Sequence, residues 1–66
     1  MQVSLFDFIT QYRIEKSMEY LTSTNLSITE IAALTGFNDS NYFSKVFRNQ
    51  KGCSPTQYRN FKHKEL

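Results

Sequence analysis

Cysteine, histidine and proline occur once each in this 66-residue chain, glycine twice and tryptophan not at all. A lone Cys53 excludes an internal disulfide. Cys53 and His63 together fall short of the four ligands of a tetrahedral zinc site. Long apolar runs are also missing: none approaches the roughly 20 residues a bilayer-spanning helix needs. The first residues lack the basic start and apolar run of a signal peptide. A single thiol suits a reducing compartment, so a cytoplasmic location without membrane contact is expected. There is no Ser/His/acid set, Cys/His pair or phosphate-binding glycine loop, so neither an enzyme nor a cofactor is expected.

What is present is one domain's worth of chain, residues 1–66. A polypeptide this short buries only about 60% of the surface its unfolded form exposes. Its core is thin, with a net stability of about 3–5 kcal/mol. Without an internal disulfide or a tetrahedral zinc site, helix packing, a partner or DNA is left to stabilise it. The net charge of +2 is unevenly spread. Residues 1–39 hold two basic and five acidic residues, net −3, whereas residues 40–66 hold six basic residues and only Glu65, net +5. A basic half beside an acidic half suggests one face that meets a polyanion, although solvated charge explains the same count equally well.

Helical periodicity dominates the chain, without internal repeats, linkers or low-complexity tracts. A first helix is expected over residues 5–23, opened by Ser4 and Asp7 at the spacing of a capping box. Ile14, Ser17, Met18 and Leu21 form one inward stripe. Leu5, Phe8, Ile9 and Tyr12, extended by Tyr20, form a second apolar side. A helix apolar on two sides normally lies between two layers, and a chain this small has no second layer. The second side therefore suggests a fragment or a docked partner.

Thr22 to Asn25 interrupts the pattern. Ser27 and Glu30 form the next capping box, with Leu26 placed for a hydrophobic staple. Ile28, Ile31, Ala32 and Leu34 supply the apolar side of this short helix, which Gly36 ends. Asn38 is read as the cap of a third helix over about 39–51, and Gly52 stops it. Ser54, Pro55 and Gln57 open a last helix over 55–62, with Ser as cap, Pro at the first helical position and Gln closing the box. Tyr58 and Phe61 are its expected apolar anchors. The fold class is all-α, a small helix-turn-helix bundle of about four helices, with residues 28–51 as the helix-turn-helix. Cys53 reads as a small core residue and His63 as part of a solvated tail.

Within 28–51, Ala32 allows close helix approach, and Phe43, Val46 and Phe47 fix the third helix to the core. Asn41, Ser44, Lys45 and Arg48 recur at i, i+3, i+4 and i+7 on the other side, and none is acidic. A major groove admits a helix and offers partners to such side chains: adenine for Asn, guanine for Lys, either for Ser. Arg48 is better placed for phosphate. An ordinary solvated helix face is the plainer alternative. The starts at Ser27–Thr29 and Ser54–Gln57 also offer free N–H groups and hydroxyls to phosphate, while simple capping accounts for Ser27 and Ser54 as well. Tyr42 suits phosphate contact or partial burial. Arg13 on the first helix suits either contact with DNA or, more commonly for such an arginine, a structural ion pair with Glu30 as the candidate partner.

The strings ITEIA (28–32), GFNDSNYFSKVF (36–47) and GCSPTQYR (52–59), with YRIEKSMEYL (12–21) upstream, resemble the signature of the AraC/XylS family of transcription regulators. The match runs from about Leu5 through nearly the whole chain. The resemblance implies two helix-turn-helix units joined by a linker helix, with recognition helices in successive major grooves of duplex DNA. Here only the linker helix and the second unit are present; the N-terminal helix-turn-helix and an effector domain are implied partners. It places Asn41, Ser44 and Lys45 toward bases. It places Ser40 and Arg48 toward the DNA backbone, where Thr29, Ser54, Thr56 and Gln57 are added as helix-start contacts. The stretch from Gly36 to Phe43 is longer than in simple repressors, which leaves open which of Ser40, Asn41 and Ser44 lies deepest. Ser17 stands where the family has alanine. The rival reading is a helical module that docks on protein, RNA polymerase or the missing neighbour, through the outer face of helix one.

Overall fold

The computed structural model describes residues 4–64, with side chains through Lys62. Four helices follow one another: α1 (Leu5–Ser23), α2 (Ile28–Leu34), α3 (Ser40–Lys51) and α4 (Pro55–Lys64). No strand occurs among the described residues. The expected all-α bundle is what forms, and α4 runs to Lys64 rather than 62. The side chain of His63 and the residue Glu65 lie outside the described side chains.

Local chemistry starts and stops each helix. Ser4 Oγ accepts from the Asp7 N–H at 3.0 Å, and Ser27 Oγ accepts from the Glu30 N–H at 3.1 Å. At α4 the box closes both ways: Ser54 Oγ accepts from the Gln57 N–H, and the Ser54 N–H donates to Gln57 Oε1. At α3 the cap is Asp39, whose carboxylate accepts from the Asn41 N–H at 2.8 Å. The expected cap Asn38 lies one residue too early. Both residue types cap well, so sequence spacing alone did not separate them.

Between α2 and α3 the Phe37 N–H donates to Ala32 O at 2.8 Å, and the Gly36 N–H to Ala33 O at 3.2 Å. This pair of bonds is a Schellman closure, and it needs a left-handed residue. Gly36 supplies it with φ +93°. The guanidinium of Arg13 lies against that glycine, so a Cβ there would stand 3.0 Å from Arg13 Nε. The left-handed backbone thus favours glycine at 36, and any side chain there would also have to displace Arg13 by a few tenths of an ångström.

The core is Ile14, Leu21, Ile31, Ala32, Phe37, Phe43 and Phe47. The ring of Phe43 lies 5.1 Å from Phe37 and 5.9 Å from Phe47, and Phe47 meets Tyr58 of α4 edge-on at 5.7 Å. Such tilted pairs suit the ring quadrupoles. The inward stripe of α1 is Thr10, Ile14, Ser17 and Leu21, with Met18 at its edge. Ser17 is fully buried, and its hydroxyl donates to Ile14 O at 2.6 Å. A serine in alanine's place is therefore satisfied by its own helix.

Two expected anchors are not in the core. Leu34 is 59% exposed and Phe61 is 61% exposed. Helical spacing placed both near an apolar face, but α2 ends at Leu34, and it is Tyr58 of α4 that meets Phe47 of α3. Val46 and Cys53 are half-buried.

Candidate nucleic-acid interface

The side of α3 opposite Phe43 and Phe47 carries the candidate residues. Both phenylalanines are fully buried, whereas Asn41, Lys45 and Arg48 are exposed and Ser40 and Ser44 are half-buried. The helix cannot rotate about its axis without uncovering two phenylalanines, so the polar stripe is held outward. Neither cation on this stripe takes part in an ion pair among the described residues. Gly52, at φ +82°, ends the helix, and its N–H donates to Arg48 O at 2.8 Å.

The helix is also braced at its far end. Lys51 Nζ meets Glu15 Oε1 of α1 at 3.2 Å. The pair is partly exposed, so its contribution is small, but it links α3 to α1 and leaves Lys45 and Arg48 as the outward cations.

The flanking candidates differ from one another. Thr29 and Thr56 are exposed in the first turns of α2 and α4. Ser54 and Gln57 spend their side-chain oxygens on the α4 cap. Tyr42 is exposed, with its ring 6.0 Å from Phe37. The expected Arg13–Glu30 pair does not form; ion pairs among the described residues are Lys16–Glu19 and Lys51–Glu15. Arg13 covers the turn glycine instead.

Arg59 is a structural residue whose role sequence reasoning missed. From α4, its Nε–H donates to Leu21 O at 3.0 Å, and its terminal N–H to Thr24 O at 3.3 Å. The last turn of α1 has no basic residue of its own. Arg59 supplies the cation and donors that end lacks. Nothing in the local sequence of α1 points to Arg59, which lies 38 residues away from Leu21.

Comparison with known proteins agrees with this architecture. A family model described as a helix-turn-helix domain matches residues 1–60. The transcriptional activator RhaR of Pectobacterium carotovorum is 47% identical over 57 residues, 86% of this chain and 20% of that protein. The Msm operon regulatory protein of Streptococcus mutans is 42% identical over 57 residues. The chain thus spans about a fifth of the length of these curated relatives. Among solved structures, the C-terminal domain of AraT, a response regulator from Geobacillus stearothermophilus, is 42% identical. It superposes with a TM-score of 0.86 over 89% of this chain and 49% of that one. The C-terminal domain of the response regulator yesN from Fusobacterium nucleatum is 38% identical, with a TM-score of 0.85 over 86% of this chain and 55% of its own. Motif order, helix arrangement and these matches converge: the chain belongs to the AraC-type family of helix-turn-helix transcription regulators.

Proposed function

We propose that the chain reads duplex DNA by placing α3 in the major groove, as one unit of a longer transcription regulator. The observation that carries this is the outward, acid-free stripe of α3, where Lys45 and Arg48 form no ion pair among the described residues, held in place by buried Phe43 and Phe47. Asn41, Ser44 and Lys45 face bases, where amide, hydroxyl and ammonium groups match groove-edge acceptors and donors. Ser40 and Arg48 meet the sugar-phosphate backbone. Thr29 and Thr56 add hydroxyls from the flanking helices. Ser54 and Gln57 act through the first turn they cap rather than through their side chains, whose oxygens are already used.

Fluorescence anisotropy with a cognate duplex at several salt concentrations tests the reading. Lys45→Ala or Asn41→Ala costs about 1–3 kcal/mol on that duplex and relaxes sequence preference. Arg48→Ala weakens all sequences alike and lowers the salt slope by about one. Unchanged binding in all three variants would remove α3 as the reading element. One reading head binds weakly, so the isolated chain binds more weakly than a protein with two.

A second reading concerns the other side of the molecule. Leu5, Phe8, Ile9 and Tyr12 of α1 are all exposed. A contiguous apolar face on a small domain marks a protein contact. We infer that it docks the remainder of the regulator, which the relatives' greater length accommodates. An effector domain and RNA polymerase are further partners of the whole protein under this reading. Covering this face with the preceding part of the parent chain should quench amide exchange along α1; continued rapid exchange would refute the docking.

A further inference from the structure

Between α1 and the end of α2 runs an open groove of about 480 Å³, to which α3 contributes no residue. Its walls are Ile9, Tyr12, Tyr20 and Leu34, and two cations, Arg13 and Lys16, line it without any acid. Lys16 has a partner in Glu19 at 3.4 Å. Arg13 has none among the described residues: it forms no ion pair and donates no hydrogen bond. It is half-buried, with its guanidinium lying over Gly36. That placement fixes the planar group while leaving its donors unused.

We propose that this groove docks a helical protein segment presenting a carboxylate between apolar side chains, with Arg13 receiving the carboxylate. The charge complement is direct: a fixed guanidinium without an acid matches a carboxylate in two parallel hydrogen bonds. Tyrosine and arginine together, flanked by aliphatic walls, are the composition of an interface centre. A small molecule fits less well, because Tyr12 and Leu34 are more than half exposed and could not enclose it. A DNA backbone would leave Ile9 and Leu34 in water. The inference rests on the docking reading of α1 and deepens it by naming the chemistry of the partner; it is independent of base reading by α3.

The test is selection of random helical dodecapeptides displayed on phage against this chain, with circular dichroism confirming that each protein variant folds. Selected peptides carry Asp or Glu flanked by apolar residues. Changing that acid to its amide weakens binding about tenfold to the wild-type chain and less than about twofold to Arg13→Gln. The peptide-side change leaves the protein untouched, so it reads the contact even if Arg13→Gln destabilises the fold. Peptides that bind without an acid overturn the inference and leave the docking reading standing. Absence of enriched peptides, or peptides insensitive to both Phe8→Gln and Leu34→Gln, overturns both. Displacement of bound peptide by duplex DNA, or concentration-dependent self-association that Arg13→Gln abolishes, assigns the groove to phosphate or to a second copy and overturns it as well.

Discussion

Helices α1 and α3 use their surfaces in opposite ways. In α3 the apolar residues are collected on one side, where Phe43 and Phe47 are fully buried, and the remaining surface is polar and basic. In α1 a buried stripe from Thr10 to Leu21 is set against an outer side that is apolar too, with Phe8 64% exposed. A helix segregated like α3 has its packing completed within these residues, and its free side is suited to a hydrated, charged partner. A helix like α1 has packing completed on one side only. The molecule therefore presents two surfaces of different chemistry, one polar and basic and one apolar.

The comparison is most severely tested at Phe47, which joins α3 to both the core and Tyr58. Phe47→Ala should cost about 3–5 kcal/mol, comparable with the whole stability expected of such a chain. Thermal melting reads this, and an unmoved transition would show that α3 is not clamped by its phenylalanines. Next comes Arg59→Ala, which strips two carbonyls at the end of α1 of a charged donor. A loss of about 1.5–3 kcal/mol in urea unfolding is expected, and full stability would mean water replaces the guanidinium without cost. Lys45→Ala should leave stability within about 0.5 kcal/mol while weakening DNA binding. A large drop in melting temperature would place Lys45 in the fold rather than in the interface. The smallest effect is expected at Phe8→Gln: stability of the isolated chain within about 0.5 kcal/mol of wild type. A clear destabilisation there would show that the outer side of α1 is already packed.

Features that depend on neighbours in the sequence were legible in it. The Ser4, Ser27 and Ser54 caps, the two glycine stops and the 43/47 spacing each act within four or five residues, and each stands where local chemistry places it. Where two local solutions compete, as for Asn38 and Asp39, spacing could not choose. Leu34 and Phe61 were misplaced because burial depends on what lies opposite, and among the described residues nothing covers either of them. Arg13 and Arg59 were illegible for the same reason. One lies on a turn glycine 23 residues away in sequence, and the other closes a helix end 38 residues upstream. Of the candidate site, the outward side of α3 could be read directly, since it is simply the complement of the aromatic side. The reciprocal cap of Ser54 and Gln57 was legible as well, since it lies within three residues, and it forms as the spacing implied.

The bonds from Arg59 to Leu21 O and Thr24 O span 38 and 35 residues. Polypeptides leave the ribosome from the N-terminal end, so the long first helix emerges with its trailing end open. It stays open until α4 has been made. Synthesis halted after Gly52 would yield every residue of α3 but no latch on the end of α1. Helix α4 thus acts less as an appendage than as the stitch that holds the end of α1.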